Sequence, residues 1–105
     1  MKSKPPKFQI GQIVRHLRFD YRGVVIDCDL TFQQSEQWYE EVAQSRPPKD
    51  APWYRVLVHE SDHQTYVAER HLMADDSPAP VEHPEVFAHF DGYRDGHYVR
   101  DRNLN

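Results

Sequence analysis

The sequence predicts a mainly β fold: a small, strongly bent barrel of about five strands, with an inserted helical segment and a C-terminal helical turn plus tail. Three observations predict it. Apolar residues alternate with a period of two over residues 12–17 and 53–59. Tyr21-Arg22-Gly23-Val24-Val25-Ile26-Asp27 sets a tight turn before a β-branched run that favours an extended strand. Polar and proline-rich stretches separate these runs at close intervals, which suits short strands in one curved sheet.

Each element follows in chain order. Residues 1–7, Met1-Lys2-Ser3-Lys4-Pro5-Pro6-Lys7, lack apolar periodicity and form a disordered basic arm. From Gln12 to Leu17, Val14 and His16 share one face while Ile13, Arg15 and Leu17 share the other. A second strand over Gly23 to Cys28 returns through the 18–22 connection as a β-hairpin. Thr31-Phe32-Gln33-Gln34 has the spacing of a capping box, predicting a helix from Phe32 to about Gln44. Within it, Trp38 with Val42 and Tyr39 with Ala43 stand four apart. Three prolines in residues 45–52 end it.

The clearest strand of the second half is Trp53 to His59, followed by a polar loop and a return strand from Thr65 to Glu69. Glu69-Arg70-His71-Leu72 is expected to make one helical turn before a short strand near Met73. Val86 and Phe90, four apart, predict a packing helix within Val81 to Phe90, started by His83-Pro84. Beyond Asp91 an extended tail is expected, docked on a neighbour or mobile. The division is therefore an arm (1–7), a barrel domain with its packing helix (8–90) and a C-terminal tail (91–105).

The 105 residues suit one domain with one modest core, burying about two-thirds of the unfolded chain's surface. No apolar run approaches the roughly 20 residues of a membrane span, and the N-terminus lacks the apolar segment of a secretory signal. A cytoplasmic location is the expectation. Cys28 is the single cysteine, which excludes an internal disulfide and a cysteine-based zinc site, and a packed strand residue is its expected role. The net charge of −4 argues against indiscriminate binding of polyanions. The charge is uneven, with six basic and three acidic residues in 1–29 and seven against fourteen in the remainder. A phosphate-facing surface would therefore draw on the N-terminal third.

Catalytic and metal constellations are weak. His59 and His63 straddle a strand end and loop with no third ligand nearby, so no metal is expected. The five serines fall in the arm, loops or helix start, none in a strand-to-helix elbow, and four glycines make no phosphate loop. Neither an enzymatic activity nor a cofactor is expected. Trp38, Trp53 and Tyr54 are expected in the core, whereas Tyr21 beside Arg22 suits a binding rim. Arg15, Arg18, Tyr21 and Arg22 are the candidate DNA contacts, because guanidinium forks match phosphate oxygens and can read guanine edges. The competing expectation is ordinary pairing of these arginines with Asp20 or Asp27.

An ordered set of short strings carries a family resemblance over roughly residues 8–105. Val14-Arg15-His16 and Tyr21-Arg22-Gly23-Val24-Val25 come first, then Glu36-Gln37-Trp38-Tyr39 and Pro52-Trp53-Tyr54-Arg55-Val56-Leu57-Val58. Tyr66-Val67-Ala68-Glu69 with Leu72, His83-Pro84 with Phe87 and Phe90, and the terminal Arg102-Asn103-Leu104-Asn105 complete it. Together they resemble the HspQ family, the hemimethylated-DNA-binding YccV-like proteins. Leu30 after Asp29 is a departure, since family members often carry proline there, and residues 92–96 are a local variation.

The resemblance implies an SH3-like barrel, a small homo-oligomer and two activities of different class. One is a heat-shock role in protein quality control, as partner or specificity factor of a Lon-type ATP-dependent protease or of its clients. The other is binding of hemimethylated double-stranded DNA, connected with control of replication initiation. An acidic barrel favours the first and the arginine-bearing hairpin the second.

Overall fold

Five antiparallel strands form one bent sheet in the computed structural model, which describes residues 5–100. The strands are β1 (Ile13–His16), β2 (Arg22–Asp29), β3 (Trp53–Val58), β4 (Gln64–Ala68) and β5 (Leu72–Ala74), in the spatial order β4-β3-β2-β1-β5. The result is mainly β and barrel-like, but β4 and β5 do not pair, so the barrel stays open between them. A single 3₁₀ turn, Glu69–His71, joins these two edge strands where a helical turn is expected.

The middle strand shows why its sequence reads as a continuous apolar run. Val24, Val25 and Ile26 are all buried because both sheet faces are covered, which removes the alternation of a half-exposed strand. Val25 lies with Phe8, Val14, Tyr54, Val56, Val67 and Leu72 in the core enclosed by the bend. Val24 and Ile26 lie on the opposite face with Ile13, Leu57, Val81, Val86, Phe90 and Tyr98. A bulge between Val25 and Asp27 accommodates Ile26 and sharpens the strand's twist.

Gly23 pairs with Val14 and Val58, and a Cβ there would lie 2.4 Å from Val56 Cγ1 and 2.6 Å from the Leu57 carbonyl oxygen. Close strand approach, rather than a left-handed backbone, requires this glycine.

The inserted segment contains α1 (Glu36–Val42), shorter than the expected 32–44 helix. Its cap is Ser35, whose hydroxyl accepts from the Trp38 N–H at 3.0 Å. Thr31 instead accepts from the Gln33 side-chain amide, correcting the capping-box assignment. The stretch before Ser35 is held by long-range bonds, Phe32 N–H to the Lys49 carbonyl and Gln33 N–H to Tyr66 Oη, which oppose helix there. Tyr39, Trp53 and Ala68 then form a third small core beneath Phe32, Trp38 and Tyr66.

The C-terminal segment also differs from expectation. The helix α2 spans only Val86–His89, with Val86 and Phe90 inward and Phe87 outward. After it, β6 (Gly92–Arg94) and β7 (His97–Val99) form a hairpin where an extended tail is expected. This hairpin packs on its own chain: Tyr98 is buried, its N–H donates to the Gly11 carbonyl, and its hydroxyl donates to the Val81 carbonyl. The expected basic arm falls partly on residues 1–4 and the tail's end on 101–105, both outside the described residues. Within the described part, the Lys7 N–H donates to Glu69 Oε2 at 2.9 Å and to Tyr54 Oη at 3.1 Å, so the arm's end is tethered.

Candidate functional site

A groove of about 490 Å³ lies among β4, the 17–21 turn and the inserted segment. The 17–21 turn contributes Arg18, Phe19 and Tyr21; β3 and β4 contribute Trp53, Arg55 and Tyr66; the inserted segment contributes Trp38 and Val42; and His16 and His71 line its inner end. Phe19 and Val42, 69% and 58% exposed, stand at its rim as apolar surface open to a partner. Among the described residues, two arginines and no acidic residue line the groove, in a chain carrying 17 carboxylate side chains.

Backbone geometry positions the rim. The His16 N–H donates to the Tyr21 carbonyl and the Asp20 N–H to the His16 carbonyl, while Asp20 takes a left-handed conformation at φ 56°. Inside this turn, His16 Nδ1 accepts from the backbone N–H groups of both Arg18 and Phe19 at 3.1 Å. Such acceptance requires that nitrogen to be unprotonated. Burial, then the nearby His71 and Arg18 charges, hold the His16 pKa below its ordinary value. His71 stacks on it at 5.7 Å between centroids and is lowered as well, by burial and then by Arg70 and Arg18.

The wall opposite is aromatic. Trp53 and Tyr66 stack at 5.3 Å, with Trp38 edge-on to both. Tyr66 Oη donates to Asp29 and accepts from the Gln33 N–H. Burial and the Asp29 bond raise its pKa, keeping it a neutral donor. The Arg55 guanidinium lies 5.2 Å from the Tyr66 ring centre, a cation–π arrangement.

The structure divides the four candidate DNA contacts between two places. Arg18 and Tyr21 line the groove: Arg18 is exposed with its guanidinium 5.5 Å from the Phe19 ring, and Tyr21 Oη bonds Thr65 Oγ1 at 2.8 Å. Arg15 and Arg22, register partners on adjacent strands, instead meet carboxylates. Arg15 pairs with Asp20 at 2.8 Å. Arg22 is 12% exposed and bonds both Asp75 and the Ala79 carbonyl, so its fork is already filled. Of the three arginines, Arg22 is thus held in a buried pair, Arg15 in an exposed one and Arg18 is open at the groove.

Phe19, Arg55 and His71 are groove residues that the sequence did not single out, whereas Tyr66 belongs to the aromatic set it left open between core and binding platform. Arg55 carried a signal, as a charged residue inside the most apolar strand; the others need the three-dimensional pairing. Of the expected core aromatics, Trp53 and Tyr54 are buried, whereas Trp38 is half-buried and also faces the groove.

Two histidines outside the groove accept backbone N–H groups. His59 Nδ1 accepts from the Glu82 N–H, and His83 Nδ1 accepts from the Glu85 N–H. Among the described residues no group of three His, Cys, Asp or Glu side chains could hold a metal ion, and no helix is long and apolar enough to cross a membrane. What the groove offers chemically is recognition: aromatic faces, two guanidinium groups and an exposed strand margin.

A family model described as hemimethylated DNA-binding protein YccV like matches residues 6–97. That span runs from the arm's end through all five sheet strands, so this chain belongs to the YccV-like family.

Proposed function

We propose that the protein is a non-enzymatic binding module that serves protein quality control as partner of a Lon-type ATP-dependent protease, contacting polypeptide through the groove. The observation that carries this reading is the groove's composition: exposed Phe19 and Val42 at its rim, aromatic rings along one wall and unpaired backbone at its margin. Such surfaces suit an extended polypeptide. The buried pairing of Arg22 with Asp75, with its second bond to the Ala79 carbonyl, supports it further, because that guanidinium is not open to a phosphate. A cytoplasmic site of action and assembly into a small homo-oligomer belong to the same proposal.

The test is a degradation assay with purified Lon-type protease and an unfolded client, with and without this protein. Faster client loss, together with co-purification of protein and protease, is expected. An unchanged rate with no co-purification rejects the proposal.

Binding of hemimethylated duplex is the second reading, favoured by the description of the matched family and by Arg18 and Arg55 flanking the groove without a carboxylate. Fluorescence anisotropy against hemimethylated, fully methylated and unmethylated duplexes of one sequence checks it. Selective tightening on the hemimethylated duplex supports it, and flat curves for all three remove it.

A further inference from the structure

We propose that β4 accepts an added strand, an extended acidic and apolar segment of a partner polypeptide that hydrogen-bonds to Gln64 and Tyr66 and fills the barrel's open side. This rests on the reading that the protein binds polypeptide and specifies how.

The edge follows from hydrogen-bond alternation. The Val58 N–H donates to the His63 carbonyl and the Glu69 N–H to the Pro52 carbonyl, fixing which residues of this antiparallel pair face each other. Counting by twos, Thr65 and Val67 bond inward to β3. The N–H and C=O groups of Gln64 and Tyr66 point away from the sheet and find no backbone partner among the described residues, whereas the Ala68 carbonyl starts the 69–71 turn and is engaged there. Gln64 is exposed and Tyr66 half-buried at the groove, so this part of the edge meets space that a chain can enter, while Ala68 is covered by Phe32, Trp38 and Tyr66.

Edge strands are ordinarily blunted by lysine, proline or a bulge. β4, Gln-Thr-Tyr-Val-Ala, carries no charge, no proline and no register shift. At about 3.3 Å per residue, five partner residues would span it. The far sheet edge, β5, has only three residues.

Charge selects the occupant. An added strand would run between Arg18 and Arg55, with no acidic residue lining the groove to oppose a carboxylate. In a chain of net charge −4 this favours an acidic segment over a basic one, and over a second copy's β4, which brings no carboxylate. Apolar side chains on the partner strand would meet Trp38 and its aromatic neighbours.

The experiment is amide hydrogen exchange followed by NMR on the full-length protein, with an end-capped octapeptide of alternating glutamate and valine as probe. At about ten times its dissociation constant, exchange at Gln64 and Tyr66 is expected to slow about tenfold, while Thr65 and Val67 change little. Gln64→Pro removes an outward N–H without breaking the β3 ladder and is expected to abolish the effect. The same peptide N-methylated at every residue, which removes the donors of both its edges, leaves the protein untouched and is expected not to bind. No slowing at the Gln64 and Tyr66 amides overturns the proposal. So does concentration-dependent protection without peptide, which would mean a second copy occupies the edge, or protection by hemimethylated duplex and not by peptide. Edge protection without any effect on the Lon-type protease would sink the proposed function alone. Protease stimulation without edge protection would sink strand addition alone.

Discussion

Arg22 in β2 bonds the carboxylate of Asp75, 53 positions away, with the two side chains only 12% and 9% exposed. The pair joins the hairpin to the segment leaving β5, and the same guanidinium reaches the Ala79 carbonyl. Burial opposes the charge on Asp75, but the bonds from Arg22 and the Ser77 N–H outweigh it and hold its pKa below the ordinary value. A carboxyl depressed in the folded state contributes stability above its unfolded pKa of about 3.9 and loses it as pH falls through the folded value. Arg22→Met, which strands a buried carboxylate, is expected to cost about 3 kcal/mol at pH 7. Protonation relieves that charge, so the gap between variant and wild type narrows below about pH 4. Urea denaturation at pH 7 and pH 3.5 measures both.

His16 ties pH to the groove's rim. Its folded pKa lies below the ordinary 6.5, so its stabilisation is complete above that value and is lost as pH falls through the folded pKa. Protonating Nδ1 breaks both bonds from the Arg18 and Phe19 N–H groups. Amide exchange at Arg18 and Phe19 is expected to speed up on going from pH 7.5 to pH 5, after correction for intrinsic exchange. His16→Ala should exchange fast at both pH values. Equal protection at both pH values in the wild type would refute the link.

Much of the sheet was legible because its determinants are local. Period-two patterning placed Trp53 to Val58, and the apolar run after Gly23 placed β2, each within a residue or so at its ends. The inserted helix was misplaced because Thr31 and Ser35 both satisfy local capping rules. The decision between them is made by Lys49 and Tyr66, which are remote in sequence. The final hairpin did have a local mark, Asp95-Gly96, with both residues at positive φ in the turn. The groove was least legible: its walls come from the 17–21 turn, the inserted segment and β4, and Arg22 could not be removed from the candidate contacts without knowing that Asp75 faces it.

Gly11 makes the docked hairpin possible. At φ 94°, a Cβ on it would stand 2.1 Å from the Tyr98 carbonyl oxygen. Backbone must move to admit a methyl group, and Gly11→Ala is expected to cost about 1–3 kcal/mol. Gly96, at φ 82° with no atom within 4 Å of its Cβ position, carries the conformational penalty without the clash. Gly96→Ala is therefore expected to cost about 1 kcal/mol. Thermal unfolding of the two variants checks the order, and a larger loss from Gly96→Ala would contradict the packing account.

The arginines distinguish folding from recognition. Arg15 and Arg22 face Asp20 and Asp75, while Arg18 and Arg55 face a groove lined by no acid. If hemimethylated duplex binds, each arginine that contacts phosphate contributes nearly one unit to the slope of log affinity against log salt. Arg18→Gln and Arg55→Gln are each expected to flatten that slope by about one unit. Arg15→Gln is expected to leave it unchanged, because breaking the Arg15–Asp20 pair releases no phosphate contact. The same set separates the readings with peptide: Arg18→Gln and Arg55→Gln weaken binding of the glutamate–valine probe in low salt, and Arg15→Gln does not. Anisotropy titrations across a salt series record both, and a dominant effect of Arg15→Gln in either would place the binding face on the hairpin's other side.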